Sequence, residues 1–345
     1  MTRFAEFGSN RARAVALVAD QGPAVGLIVL IVLTWTVFGA MNGSFVSSFN
    51  LFGIGQLAAR DAVLGMAQAA LVVMGRMNLA LGSVGAICVS LLGYLLVSAH
   101  ISLPLTLLVV AAAGVIASVI MGVVELKTGL SSFIVTLAFL SAYGGGALLV
   151  SRSDNFQITT PALDSLGSGT FLSAAVCPLV VVAVICGGIT WLIYHRTSFG
   201  WKSLAIGANE RAARASGVNA GRVLLAAYAL SGLLAALAAV MESSYELSVN
   251  ASVGSDWLLP SFVAVVLGGV TLTGGDITIA GILLAAVFYD SLQSGLTILN
   301  VSSYWLNLAE GLVLLIAVIA DQARRSRRGR LRRGRAVVAV EVTRV

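Results

Sequence analysis

Charged residues are scarce in this sequence, and long apolar runs take their place. Of the 345 residues, 10% are charged and 58% are hydrophobic, whereas a soluble domain carries about a quarter charged residues. This composition excludes a soluble globular enzyme. A bilayer span needs about 20 apolar residues, so the hydrophobic residues suffice for about ten spans joined by short loops. The composition therefore predicts a polytopic membrane protein.

Cysteine and histidine are also rare, which limits the metal and redox chemistry available to the chain. Cys88, Cys177 and Cys186 lie within apolar runs without metal-ligand spacing, so we expect them to be packing residues. His100 and His195 are expected near opposite ends of the bilayer, which excludes a joint metal site. The sequence contains no nucleophile elbow, zinc-binding helix or nucleotide-binding glycine loop. We therefore expect no enzymatic activity, metal or cofactor in this chain, and any nucleotide to be bound by another chain.

The apolar residues fall into ten runs separated by polar or glycine-rich segments. These runs lie at about 23–41, 50–75, 81–98, 102–124, 131–150, 171–193, 222–243, 256–272, 276–296 and 303–320. Barrel strands would alternate apolar and polar residues over about ten positions, whereas these runs are longer and continuously apolar. Helices are therefore expected to cross the bilayer. The predicted fold class is an all-α polytopic membrane protein with about ten transmembrane helices and a short cytoplasmic coupling helix.

The basic residues predict how the chain crosses the membrane. With the N-terminus inside, all of the 21 Lys and Arg residues face the cytoplasm except Arg152, which faces outside, and Arg60, which lies within the second run. Cytoplasmic loops carry such an excess of positive charge, so we predict an even number of spans with both termini cytoplasmic. The predicted division is a cytoplasmic N-terminal segment 1–22, a transmembrane domain 23–321 and a basic cytoplasmic tail 322–345. We expect this Arg-rich tail to touch anionic membrane lipid rather than nucleic acid.

Five charged residues lie inside apolar runs, where a charge costs at least about 2.5–3.5 kcal/mol. They are Arg60, Asp61, Glu242, Asp290 and Glu310. Neighbours on a helix point about 100° apart, so we expect Arg60 and Asp61 not to face each other and to meet polar partners on other spans. Two interpretations of this pair stay open, a buried ion pair that packs helices together and the lining of a hydrophilic pathway.

Polar residues continue along one face of the same run. Asp61 and Gln68 are seven residues apart and lie on nearly one helix face, which Val72 continues as apolar lining. This stripe favours a narrow passage over a water-filled pore. Gly75 and Gly82 permit either a broken helix that presents backbone groups or simple close packing of helices.

Two loops are long enough to have a role of their own. Residues 151–170 are polar and expected outside, as a short cap on the external mouth or as a plain connector. Residues 195–221 are expected inside and to contain one or two short helices. Within them, AIGANERAARASGV forms a compact surface of charged and small residues bounded by Gly207 and Gly217. Docking into a cleft of a moving partner and a solvated connector are both compatible with this pattern.

Around this loop, the sequence resembles the permease subunits of ribose-type ABC importers, in the superfamily that also contains branched-chain amino-acid permeases. The resemblance covers most of residues 45–321. It is carried by SSFIVTLAFLSAYGGGALL, TSFGWKSLAIGANERAARASGVNAGRV, YALSGLLAALAAVM, VAVVLGGVTLTGG and VSSYWLNLAEGLVLLIAVIAD. It implies an inner-membrane permease, paired with a second permease subunit as a homodimer or heterodimer. It also implies a cytoplasmic ABC ATPase that holds ATP and Mg, and an external sugar-binding protein.

The resemblance further implies a coupling helix at about 204–217, where the ATPase would dock. The residues that match the family's docking pattern are Gly207, Asn209, Glu210, Ala213, Arg214, Ser216 and Gly217. ATP-driven closure of the ATPase would push this helix, and the adjoining spans would transmit the movement to the gate. Such alternating access depends on two bundle arrangements of different stability.

Several positions depart from the family pattern and leave the cargo open. Residues 76–80 replace a usual Gly-Ile-Asp-Leu-Ser run, Gln293 and Ser294 replace asparagines, and Arg60 with Asp61 replaces a neutral pair. The candidate pathway residues are Arg60, Asp61, Gln68, Asn78, Gln293 and Asn307. The sequence thus predicts an ATP-driven, binding-protein-dependent importer of a monosaccharide or related polyol. The alternative is an ion-coupled secondary transporter of a small polar solute that uses Asp61 as a proton or cation site.

Overall fold

The structure, a computed structural model, describes most of the predicted transmembrane domain. The described residues are 24–169, 177–246, 248–302, 304–306, 308–316, 318–319 and 322. The predicted N-terminal segment 1–22 lies outside them, as does the basic tail apart from Gln322. Asn307, one of the candidate pathway residues, also lies outside the described residues.

The described chain is built almost entirely of helices. They are α1 (Ala24–Met41), α2 (Ser48–Val72), α3 (Leu81–Gly93), α4 (Leu103–Thr128), α5 (Ser132–Ser151), α6 (Pro161–Gly167), α7 (Pro178–Arg196), α8 (Ser198–Ala215), α9 (Ala220–Tyr245), α10 (Leu258–Leu267), α11 (Ile279–Ile298) and α12 (Tyr304–Ile316). A 3₁₀ turn at Gly43–Val46 precedes α2, and a π-helical turn at Tyr94–Ser98 prolongs α3. Two short strands, β1 (Phe156–Gln157) and β2 (Ser248–Val249), pair antiparallel, with Phe156 opposite Val249.

Helix ends follow local sequence signals. α4 begins with Pro104 in its first turn, and it ends at Gly129, which adopts the left-handed conformation with φ 68°. A proline is tolerated in a first turn because its missing N–H has no intrahelical partner there, and glycine is the residue that most readily takes a left-handed cap. α9 begins where the Asn219 side chain accepts a hydrogen bond from the backbone N–H of Arg222.

Seven helices within the described residues are long and apolar enough to cross a membrane, namely α1, α3 with its π turn, α4, α5, α7, α9 and α11. The class of all-α polytopic membrane protein is therefore confirmed, whereas the predicted count of about ten spans is not. α2 is 25 residues long, but Arg60 and Asp61 lower its hydropathy. α10 has 10 residues, about half the length that a full span requires.

α2 and α9 form the centre of the bundle. Every residue of α2 from Ala58 to Val72 is buried, and α9 packs against α2, α3 and α4. α1, α5 and α7 lie outside this centre and expose large apolar side chains such as Val29, Leu149 and Val184. Helices that are apolar on every side and only partly covered by protein suit an environment of lipid chains.

The chain is broken at two places inside the bundle. After α2 it turns at Gly75, where φ is 71°, before α3 begins, which corresponds to the broken helix, one of the two alternatives that the sequence left open here. The second break lies between β2 and α10, where residues 250–257 form a turn that packs into the bundle. Its Gly254 lies so close to Gly82 that a Cβ on Gly82 would overlap the Gly254 carbonyl, and the Trp257 ring covers Gly85. α10 therefore starts deep in the bundle.

The two ends of the bundle differ. At one end, which we call the α8 end, α8 lies beside the end of α2 and the turn before α11. The N–H of Gly275 in that turn donates a hydrogen bond of 2.8 Å to the carbonyl of Val73 after α2. The opposite end, the β end, carries the β1–β2 pair and α6, whose Gly167 packs on the backbone of Ser244. α6 thus packs against α9, and a role of residues 151–170 as a cap on the external mouth stays a prediction.

Candidate functional site

α8 is two short helical pieces joined at Asn209. The backbone of Asn209 is extended, with φ −164° and ψ 99°. Its side-chain oxygen accepts a hydrogen bond of 3.0 Å from the N–H of Ala212 and thereby caps the second piece. Gly217, with φ 84°, follows the end of the helix, and the Ser216 hydroxyl donates to the Ala212 carbonyl over 3.1 Å. Three of the predicted docking residues therefore shape the helix itself.

Gly207 brings α8 into direct backbone contact with two other segments. A Cβ at this position would overlap the carbonyl oxygen of Val73, and it would lie 2.5 Å from the backbone nitrogen of Gly275. No side chain fits between the three segments, so α8 rests directly on the end of α2. α8 and the end of α2 are therefore in backbone contact, without a flexible side chain in between.

Glu210 ties α8 to the break after α2. Its Oε1 accepts hydrogen bonds from Nε and Nη2 of Arg214 at 3.0 and 2.7 Å, and its Oε2 accepts one from Nη2 of Arg76 at 3.3 Å. The hydrogen bonds from Arg214 and the nearby charge of Arg76 lower the pKa of Glu210 below its ordinary value of 4.5. The carboxylate is thus charged at neutral pH and holds both guanidinium groups.

Arg76 extends this network into the membrane bundle. It forms an ion pair with Glu125 of α4, which is buried. Oε2 of Glu125 accepts a hydrogen bond of 2.7 Å from the Tyr228 hydroxyl of α9. We call Glu210, Arg214, Arg76, Glu125 and Tyr228 the α8 junction, because these five side chains join α8 to the turn after α2, to α4 and to α9.

Sequence reasoning missed Glu125 and Tyr228. It placed Arg76 among the cytoplasmic basic residues and the departures from the family pattern, without naming a partner for it. A signal was present, since Glu125 follows directly on an apolar run and is an acidic residue among apolar neighbours. The remaining predicted docking residue, Ala213, is buried. Beside it, α8 presents an exposed face that includes Ala208, Arg211, Ala212 and Arg214.

A second group of polar side chains surrounds Arg60. Its Nε donates to Oδ1 of Asp61 over 2.7 Å, and its Nη1 donates to Oε2 of Glu242 over 2.7 Å and to the Tyr245 hydroxyl over 3.1 Å. The expectation that Arg60 and Asp61 do not face each other is wrong, because the long arginine side chain bends back to its neighbour. The expected partner on another span is present for Arg60 and lies on α9, whereas among the described residues Asp61 has its hydrogen bond with Arg60 and none with another helix.

The charged group continues onto α11 and α12. Asp290 of α11 is buried and interacts electrostatically with Asp61 and Arg60. One turn on, Nε2 of Gln293 donates to the Tyr289 hydroxyl over 2.5 Å, and this hydroxyl donates to Oε1 of Glu310 over 2.7 Å. Arg60, Asp61 and Gln293 of the predicted pathway residues therefore belong to one polar region near the β end.

Gln68 and Asn78 lie apart from that region and hold the break after α2. The Gln68 side chain is oriented so that both its amide nitrogen and its amide oxygen are paired. The nitrogen donates to the Asn78 carbonyl over 3.0 Å, and the oxygen accepts from the Asn78 N–H over 3.3 Å. The Asn78 side chain accepts from the N–H of Ala80 at 3.0 Å and approaches the Ser231 hydroxyl of α9 at 3.5 Å. Their contacts are structural, and their part in a pathway stays a prediction.

The described ranges contain no group of three or more His, Cys, Asp or Glu side chains placed to hold a metal ion. The polar regions instead form hydrogen bonds and ion pairs between helices. The three cysteines are free, with Cys88 and Cys177 buried.

Comparison with known proteins identifies the family of the chain. The family described as the permease component of the branched-chain amino-acid transport system matches residues 51–318. The chain belongs to this permease family. The resemblance predicted from the sequence is thereby confirmed, and the match covers both the α8 junction and the charged group around Arg60.

Relatives in this permease family transport more than one kind of cargo. The ribose import permease protein RbsC of Bacillus subtilis is 30% identical over 303 residues, covering 87% of this chain and 92% of that protein. The Escherichia coli K12 ribose import permease is 29% identical over 314 residues, covering 89% and 94%. The autoinducer 2 import system permease protein LsrD of Yersinia enterocolitica is 31% identical over 308 residues, covering 86% and 91%. No solved structure matches the chain.

Proposed function

We propose that this permease is the membrane subunit of an ATP-driven, binding-protein-dependent importer whose cargo is a monosaccharide or a related polyol. The named relatives import ribose or autoinducer 2. The observation that carries the proposal is the α8 junction, in which an exposed helical face is connected to the buried parts of α2, α4 and α9.

The partners follow from this assignment. A cytoplasmic ABC ATPase binds ATP and Mg and docks on α8, while an extracytoplasmic sugar-binding protein delivers the cargo. A second permease subunit, identical or different, completes the pathway. The protein lies in the bacterial inner membrane with both termini and α8 in the cytoplasm, and its basic tail contacts anionic lipid. The count of ten spans includes α2, α10 with the turn 250–257, and α12.

The α8 junction supplies a mechanism for the coupling. ATP-driven closure of the ATPase moves α8, and the direct contact at Gly207 passes this movement to the end of α2. The Glu210–Arg76–Glu125 ion pairs pass it to α4, and the Tyr228 hydrogen bond passes it to α9. Packed elements of this kind shift between discrete arrangements rather than deform continuously.

Co-purification tests the docking surface. The permease is expressed with its cytoplasmic ATPase, and the retained ATPase is quantified for the double variant Glu210→Ala with Arg214→Ala. We expect docking to weaken at least about tenfold, equivalent to about 1.4 kcal/mol. Because Glu210 also holds Arg76, Arg211→Glu serves as a second variant that reverses a charge on the exposed face. Arg152→Gln at the β end is the matched control and should retain the ATPase. Unchanged docking in both α8 variants would refute the assignment.

Transport in vesicles tests the energy source. Vesicles that contain the permease and its ATPase should take up cargo only with ATP and the loaded binding protein. Uptake driven by an ion gradient in the absence of ATP would show the ion-coupled alternative to be correct instead.

A further inference from the structure

Carboxyl groups outnumber cations around Arg60. Six carboxyl side chains from four helices and the segment after α9 gather here, and we call them the acidic funnel: Glu246, Asp256, Glu310, Glu242, Asp61 and Asp290. Within the described part of the chain, Arg60 is the one basic residue with which these carboxyl groups interact. Of the six, Arg60 donates hydrogen bonds to Asp61 and Glu242, so among the described residues the other four carboxyl groups have no ion pair with a basic side chain.

The acidic funnel leads from the surface to the interior. Glu246 and Asp256 are exposed at the β end, and Glu310 is half-buried. Below them, Glu242, Asp290 and Asp61 are 5%, 3% and 1% exposed. The burial of the carboxyl groups thus increases from the β end into the bundle.

The turn 250–257 contributes Asp256 to this group. Its Gly254, with φ 92°, packs against Gly82, while Asp256 two residues later stays exposed. Non-helical backbone inside a membrane bundle occurs where it is covered by protein or where it lines a water-filled space. Here the turn is covered by protein at Gly254, and it is exposed at Asp256.

Two oxygens at the inner end of the acidic funnel lack a donor. Among the described residues, neither Oδ2 of Asp61 nor Oδ2 of Asp290 has a hydrogen-bond partner, although both atoms are buried. A buried acceptor without a donor is costly, and more so when it is charged. A ligand that brings both N–H donors and a positive charge would remove both penalties.

We propose that Asp61 and Asp290 bind the protonated amino group of the cargo, and that the cargo is an amino-substituted sugar or polyol. This inference rests on the proposed importer function and specifies its substrate class. The ammonium group has three N–H donors, more than the two free Oδ2 atoms require. The outer carboxylates raise the local concentration of such a cation, and Gln293 with Tyr289 offers polar groups to its hydroxyls.

Direct binding to the full-length permease in lipid nanodiscs, without ATPase or binding protein, tests the proposal. The probes share one hexose scaffold: D-glucosamine as the cation, D-glucose as the neutral form and D-glucuronate as the anion. At about pH 6.5 the amine is protonated. We expect glucosamine to bind at least about tenfold more tightly than glucose, and glucuronate more weakly than either, by titration calorimetry.

Variants locate the site. Asp290→Asn should abolish the preference for glucosamine over glucose, whereas the control Asp154→Asn, an exposed acid at the same end, should keep it. Asp256→Asn leaves the buried residues untouched and should reduce glucosamine affinity severalfold, so it keeps the test decisive if Asp290→Asn does not fold.

Three outcomes would overturn the proposal. The first is equal affinity for glucose and glucosamine, and the second is a preference for glucosamine that survives in Asp290→Asn. The third is that sodium ions alone stabilise the protein as much as glucosamine does. The last outcome would identify an inorganic cation site. Since no ATPase takes part, a failure here leaves ATP-driven uptake unaffected. Conversely, an importer assignment that fails in vesicles does not alter this binding measurement.

Discussion

At Gly207 the packing leaves no room for a Cβ atom. It brings α8 against the backbone of Val73 and Gly275, and an added methyl group would overlap atoms that cannot rotate away. We expect Gly207→Ala to destabilise the protein by at least about 1–3 kcal/mol, since overpacking forces backbone shifts. The midpoint of thermal unfolding in detergent measures the effect.

Gly188 on α7 is the matched control for this substitution. A Cβ there would meet no atom within 4 Å, so Gly188→Ala should be neutral or stabilise by about 0.5–1 kcal/mol through the better helix propensity of alanine. Equal unfolding midpoints for the two variants would show that α8 does not rest on α2 as described.

At the scale of the element, α4 and α9 are joined by one charge-assisted hydrogen bond. The Tyr228 hydroxyl of α9 donates to the Glu125 carboxylate of α4 at 2.7 Å. Hydrogen bonds to charged groups contribute about 1.5–3 kcal/mol, so Tyr228→Phe should lower the free energy of unfolding by that amount. Denaturation of the two proteins in the same detergent measures the difference.

Tyr194 of α7 offers the same substitution with a weaker bond. Its hydroxyl donates to the neutral carbonyl of Ala70 over 3.4 Å, and the residue is fully buried like Tyr228. Tyr194→Phe should therefore cost less than Tyr228→Phe. If Tyr194→Phe lowered the free energy of unfolding more than Tyr228→Phe, the Tyr228–Glu125 hydrogen bond would not be the stronger of the two.

For the whole molecule, Arg76 is the side chain through which α8 acts on the distant helices. One planar guanidinium holds both Glu210 and Glu125, whereas a lysine ammonium is a compact charge without this fork. Under the proposed function, Arg76→Lys should leave ATPase docking unchanged and reduce the uptake rate severalfold. Uptake in vesicles, compared with co-purified ATPase, separates the two effects.

Arg222→Lys provides the control, because Arg222 is exposed at the start of α9 on the same end of the bundle. Its uptake rate should match that of the unaltered protein. If Arg76→Lys also transported normally, the force would have to reach α4 and α9 by another route, for example through the backbone contact at Gly207.

The sequence predicted the helices and the α8 region well because their signals are local. Apolar runs and the glycine stop at Gly217 depend on neighbouring residues, and Gly75 permits a break because glycine readily adopts a positive φ. The extended backbone at Asn209 was not predicted. The number of spans was less predictable, since the run at 256–272 contains a helix of only 10 residues preceded by a turn that packs into the bundle.

By itself, the amino-acid sequence determined the membrane class, the helical architecture and the permease family, because hydrophobicity and helix signals act over a few residues at a time. Only the tertiary structure decided the partners of the polar side chains. Glu242 meets Arg60 across 182 residues of chain, and Glu125 meets Tyr228 across 103. Such pairs depend on which helix faces pack together in space, and a single sequence carries no short-range signal for that choice.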